Sequence, residues 1–228
     1  MQPYLFPYIG YFQLMKSIDT FVILDDVNFI KKGWINRNRI LLNGRDYLFT
    51  LPVQKMSQNR SICETRISSL EMWKVNFFKT LEHAYAKAPF YTDVYDMLEE
   101  IFAFSSDNIS LFNLRGLKII AQTVGITAHI VDTSTCYQNH HLRGQDRIID
   151  ICKRENATMY INLPGGRALY DKKMFSDQNI VLQFIEPQGI VYGQLGNTFV
   201  PNLSIIDLLM FNDKNTMDRL LLSYSLAG

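Results

Sequence analysis

Cysteine is scarce in this 228-residue chain: Cys63, Cys136 and Cys152 are odd in number and have no CxxC spacing. That excludes a disulfide framework and a zinc ribbon, and fits incidental thiols in a reducing compartment. No run reaches the ~18 unbroken apolar residues of a membrane span. The N-terminus also lacks the basic stretch and apolar core of a signal peptide. A soluble, cytoplasmic protein is therefore expected. Excess charge is missing too: the net charge is +1 and the pI about 7.7, so nothing in the overall balance calls for nucleic acid. There is no repeat, no low-complexity tract, no GxGxxG and no Walker A ending in Lys-Ser/Thr.

Aromatic residues, at 13%, are plentiful, and they must go into the core or a ligand site. The apolar (47%) and charged (20%) fractions are those of a folded chain, long enough for a substantial core. The opening MQPYLFPYIGYFQLM is too aromatic for a disordered tail and too proline-rich for an ordinary helix. It reads as a rigid loop entering a first helix, with Phe6, Ile9, Phe12 and Leu14 as core. Gln2, Tyr4, Tyr8 and Tyr11 keep polar ends available to a ligand.

DTFVILDD (19–26) reads as a buried strand ending in Asp25 and Asp26, at the edge where open α/β sheets place ligands. Next come a hairpin turning at Asn43-Gly44 and an edge strand over 60–69. Helices are expected over 71–83, 93–104 and 110–124, the last capped by Gly125. AHIVDTS (128–134) is a strand, and 146–155 an amphipathic helix with Ile148, Ile149, Ile151 and Cys152 inward. ATMYINLPGG runs from strand into turn, and IVLQFIEP and SIIDLLMFN close the pattern. Together these predict an α/β fold: one domain over 1–228, with a mainly parallel, Rossmann-like sheet flanked by helices, an inserted hairpin and a helical block over 71–125.

Three polar clusters are candidate chemistry. KKGWINRNR offers Lys31, Arg37 and Arg39 for phosphate, Asn36 and Asn38 for sugar or base edges, and Trp34 for stacking. NHHLRGQDR carries His140 and His141 with Arg143 and Arg147. Adjacent histidines lack the i, i+4 spacing of a helical metal pair, so no metal is expected. A histidine is suited to general-base work near neutral pH, and the arginines lie four apart near the start of a helix whose dipole favours an anion. YINLPGG places Asn162, Gly165 and Gly166 where a backbone nest or a plain turn would form. Cys136, four residues from His140, leaves a Cys–His nucleophile open as a minor alternative.

The chain resembles the WbqC-like family. The matching stretches are QPYLFPYIGYFQL, FVILDDVNFIKKGWINRNRI, FTLPV, WKVNFFKTLEHAYAKAPFY, GQDRIIDICKRENATMYINLPGGRALYD and VPNLSIIDLL, together nearly the whole chain. The resemblance implies work in bacterial surface-polysaccharide (O-antigen) biosynthesis. An enzyme that transfers an acyl or aminoacyl group to the amine of a nucleotide-linked sugar would fit, with Asp25, Asp26 or His140 as base. ATP or another acyl donor would be the co-substrate, although the His-rich loop of ATP-using relatives of this layout is replaced here by FPYIGYF. The alternative is a non-catalytic protein that binds a glycan or partner enzyme. The family pattern also has a short apolar strand ahead of QPYLFPY. Here Met1 stands there alone, so either that strand is lacking or the numbered sequence starts late.

Overall fold

A computed structural model describes residues 1–196 and 198–228. After the looped opening come α1 (Ile9–Lys16), β1 (Thr20–Val22) and the hairpin β2 (Arg37–Leu42) and β3 (Arg45–Thr50). The helical block follows: α2 (Leu70–Tyr85), α3 (Tyr91–Phe102) and α4 (Ile109–Thr123). The second half holds β4 (His129–Val131), α5 (Gly144–Arg154), β5 (Met159–Asn162), α6 (Lys172–Ser176) and β6 (Val181–Pro187). It closes with α7 (Ile205–Phe211), α8 (Lys214–Leu221) and β7 (Tyr224–Ala227).

Helices and strands mix as expected of an α/β chain, but the strands divide among three small sheets. Strands β1 and β4 pair in parallel, β2 and β3 form the hairpin, and β5–β6–β7 is a three-stranded sheet, parallel then antiparallel. One large parallel sheet is therefore not what these strands form. DTFVILDD gives a ladder of only three residues, because beyond Ile23, whose amide still bonds Val131, the backbone groups turn to loops: Cys63 N–H donates to the Asp25 carbonyl and Ile62 N–H to that of Val27. The expected strand over 60–69 is likewise absent. It makes only isolated bridges, Asn28 to Ser61, Val53 to Ile67 and Arg66 to Asn108.

Local signals explain the element ends. Asn43 (φ 52°) and Gly44 (φ 73°) both take the left-handed conformation that a two-residue type I′ turn requires. The Asn108 side chain caps α4 by accepting from the Ser110 and Leu111 amides. Gly125, at φ 68°, ends that helix as its position predicts. Helix α2 outruns its expected end by two residues because Tyr85 is wholly buried and continues the Phe77–Leu81 stripe.

The core is aromatic where the opening meets the helical block. The Phe6 ring stacks on Phe77 at 6.2 Å, Phe77 on Trp73 at 4.6 Å, and Phe49 and Phe102 close the cluster. Phe6, Ile9, Phe12 and Leu14 are all buried. A smaller cluster, Ile149, Cys152, Phe175, Ile180, Leu182 and Phe184, lies between α5, α6 and β6. Among the described residues no helix is long and apolar enough to cross a membrane.

Candidate functional site

The opening loop and the start of β2 build one pocket. Tyr4, Pro7, Tyr8, Trp34, Asn38, Arg39 and Asn202 line a cavity of about 270 Å³. The loop is held by side-chain amides. Asn38 Nδ2 donates to the Leu5 and Phe6 carbonyls at 3.0 and 2.8 Å, across Phe6, whose φ of 44° is costly for a bulky residue. Asn113 Nδ2 donates to the Pro3 and Ile35 carbonyls (2.9 and 2.7 Å), tying the loop to WINRNR from α4. The backbone before α7 completes the frame, Ser204 N–H donating to the Arg39 carbonyl and Ile205 N–H to that of Pro7. Gly10 is required beneath Tyr8, since a Cβ there would meet the Tyr8 ring at 2.5 Å.

The strand period puts Arg37 and Arg39 on one face of β2 and the buried Asn38 on the other. Both guanidinium groups lie over the Trp34 ring, at 5.7 and 5.6 Å. Arg39 pairs with Asp46 at 3.1 Å through one terminal nitrogen, while its buried Nε has no partner among the described residues. Arg37 is partly committed to the loop carbonyls of Gly33 and Lys32. Lys31 is exposed at the rim. Burial raises the Tyr4 and Tyr8 phenols above their ordinary value, the nearby Tyr4 adding to the rise at Tyr8. They stay neutral hydrogen-bonding groups at physiological pH. Such a pocket can stack a flat ring and attract an anion.

Two residues read as ligand-facing turn inward instead. Tyr11 is fully buried and its hydroxyl donates to the Gln2 carbonyl at 2.8 Å. Asn36 is buried with its amide on the Leu51 carbonyl at 2.8 Å. The Gln2 Oε1 is buried without a partner among the described residues.

The acids lie in a separate network past the end of β1. Asp25 accepts from Ser110 Oγ (2.8 Å), Thr133 Oγ1 (2.7 Å) and the Ser134 amide (3.2 Å). Asp26 binds Arg147, one of whose terminal nitrogens lies 2.7 and 2.6 Å from its two oxygens, and also accepts from Ser134 Oγ. The Arg147 Nε donates to Asn139, which in turn donates to Asp150. Both carboxylates are thus engaged by donors, and Arg147 belongs to this network rather than to an open anion site. His140, His141 and Arg143 are exposed, with no side-chain hydrogen bond among the described residues. The Cys136 thiol donates to the Thr133 carbonyl, and burial pushes its pKa up, the opposite of what a nucleophile needs.

At the end of β5, Asn162 Oδ1 accepts from the Leu163 amide at 2.8 Å. Its Nδ2 sits where a Cβ on Gly166 would be, at 2.6 Å, so that glycine is required for the approach. Gly165 is exposed at the outside of the turn. No cluster of metal-ligating side chains occurs among the described residues.

Sequence reasoning did not single out Pro7, Asn202 or the Asp207 cluster. Asp207 is fully buried and accepts from the Tyr85 hydroxyl (2.6 Å), the Tyr192 hydroxyl (2.6 Å) and the Gln194 amide (2.9 Å). The signal was a lone acid within the apolar run IIDLLM, since such an acid is buried only with partners.

Comparison with known proteins by sequence covers most of the chain. A protein of Mycobacterium tuberculosis (strain ATCC 25618 / H37Rv), named only as the uncharacterized protein Rv1507c, is 31% identical over 207 residues, 89% of this chain and 88% of that one. No solved structure matches the chain. The model of the WbqC-like protein family matches residues 2–219, a span containing the opening loop, both polar networks and α7. This chain belongs to the WbqC-like family.

Proposed function

We propose that the protein is a cytoplasmic enzyme of surface-polysaccharide assembly that transfers an acyl or aminoacyl group to the amine of a nucleotide-linked amino sugar. The observation that carries this is the pocket in which Trp34 lies beneath two guanidinium groups beside Tyr4 and Tyr8. A base or sugar ring stacks on the indole, and the diphosphate meets Arg39. In the reaction the sugar amine attacks the acyl carbonyl carbon, the donor's leaving group departs, and the amine proton passes to a base. Asp25, Asp26 and His140 are the candidates. The two acids already accept several hydrogen bonds each, while the exposed His140 ring does not. The donor, ATP-activated or a preformed acyl or aminoacyl carrier, has no assigned place.

Thermal denaturation with nucleotide-linked amino sugars tests the reading. They raise the melting temperature and free sugars do not. Trp34→Ala weakens the binding by about 1–3 kcal/mol, the worth of one stacked base, whereas Trp34→Phe retains most of it. A melting curve indifferent to every nucleotide and nucleotide sugar overturns the proposal.

The engagement of both acids favours one second reading, a glycan- or enzyme-binding protein without catalysis. It predicts saturable binding without turnover, and binding unchanged in Asp25→Asn.

A further inference from the structure

The net charge of +1 conceals an uneven distribution. Residues 27–66 carry eight cations against two acids, Asp46 and Glu64, a local net of +6. The remainder of the chain, with fifteen cations and twenty acids, stands at −5. An asymmetry of this size marks a surface for an anionic partner. Arg37, Arg39 and Arg45 belong to the hairpin and the Trp34 pocket, and the others lie outside it.

The fold gathers four of those others at one end of two joined segments. The Ile62 amide donates to the Val27 carbonyl (3.0 Å), Asn28 bridges Ser61 in antiparallel sense, and the Phe29 amide donates to the Arg60 carbonyl (2.9 Å). A pair in this register carries both chains past the same end, so Ile30–Lys32 and the loop 55–59 emerge side by side. Lys31, Lys32 and Lys55 are exposed and Arg60 is half-buried. Among the described residues none of the four is held in an ion pair. The acids nearby are engaged. Glu64 accepts from the Ser61 hydroxyl (2.6 Å) and amide (3.1 Å), bonds that together with Arg60 hold its carboxyl below the usual range. Asp107 pairs with Arg66 at 3.3 Å. Each loop also projects one aliphatic side chain beside a lysine: Ile30 is 48% exposed and Met56 41%.

We propose that this end of the molecule is a docking surface for an anionic lipid bilayer. Ile30 and Met56 enter the headgroup layer, and Lys31, Lys32, Lys55 and Arg60 meet the lipid phosphates. Charge alone would suit any polyanion, but two exposed aliphatic side chains set among cations suit a bilayer and gain nothing from a hydrated polyanion. Residues 30–33 and 55–60 contain no aromatic side chain, so nucleic-acid bases find no stacking platform there. The neighbouring Trp34 ring is taken by Arg37, Arg39 and the pocket. Arg37 donates to the Lys32 carbonyl, so the surface borders that pocket. The attachment is peripheral and reversible, and it holds whether or not the acyl-transfer reading does.

Sedimentation of the full chain with lipid vesicles tests this. The protein pellets with vesicles of about 30% phosphatidylglycerol in phosphatidylcholine, is released at ~0.5 M salt, and stays in solution with phosphatidylcholine alone. Lys55→Gln, at an exposed side chain, lowers the partition about fivefold, and Lys55→Gln with Arg60→Gln about 30-fold. Ile30→Ser with Met56→Ser keeps every charge and lowers it about tenfold or more. These variants retain the melting temperature of the native protein and whatever response it gives to nucleotide-linked sugars, which separates this surface from the Trp34 pocket. Failure to pellet with the phosphatidylglycerol vesicles, or binding unchanged in the Ile30/Met56 variant, overturns the proposal. So does single-stranded RNA that binds more tightly than the vesicles at the same salt, which would give the surface to nucleic acid.

Discussion

Asp207 shows how one side chain can carry a pH response. Burial raises its carboxyl above the ordinary 3.8, against the hydrogen bonds from Tyr192, Tyr85 and Gln194. The folded protein therefore binds that proton more readily than the unfolded chain does. The stability this confers is fully present below the unfolded pKa and is lost as pH rises through the folded value. Urea midpoints of the native protein accordingly fall with pH across that window, and Asp207→Asn removes this component of the slope. Identical slopes for the two proteins would show that the carboxyl titrates alike in the folded and unfolded chain. At this scale the sequence was legible in part. WINRNR and the opening tyrosines pointed to the Trp34 pocket, but Asn36 and Tyr11 were indistinguishable in type from their ligand-facing neighbours. Only tertiary contacts with Leu51 and Gln2 decide their direction.

Single side chains also hold whole elements in place. Asn38 bonds two carbonyls of the opening loop from β2, so Asn38→Ala leaves both without that donor in a buried setting. A cost of about 2–4 kcal/mol is expected by chemical denaturation. Any ligand response of the Trp34 pocket should weaken with it, because Tyr4 and Tyr8 lose their anchor. Arg147 similarly ties α5 to the end of β1 through Asp26. Arg147→Met strands that carboxylate and costs about 3–5 kcal/mol, while Arg147→Met with Asp26→Leu recovers most of it. A double variant no more stable than the single one would show that the pair acts through Asn139 and Ser134 as well. Elements were readable wherever the signal was local: the Asn43-Gly44 turn, the Gly125 cap, and the α2 to α5 periodicities. The 60–69 strand failed because its backbone bridges to three different segments, at Asn28, Val53 and Asn108, rather than to one partner strand.

Over the whole molecule, α/β character was legible from the alternation of strands and helices, but strand pairing was not, since pairing is set by residues far apart in the chain. The most distant of these contacts bears on how the protein is made. Ser204 and Ile205 bind the carbonyls of Arg39 and Pro7, and Gln13 of α1 donates to the carbonyls of Leu220 and Ser223. The opening loop therefore waits for almost the last segment of the chain before its own backbone is satisfied. At ordinary elongation rates that interval is about 10–40 s, during which the Pro7 carbonyl and the Gln13 amide are without their final partners. The aromatic rings of the opening find their partners within the first half of the chain, Phe6 on Phe49, Phe77 and Phe102 and Tyr11 on Phe21, so it is the Pro7 carbonyl and the Gln13 amide that wait for the C-terminal helices.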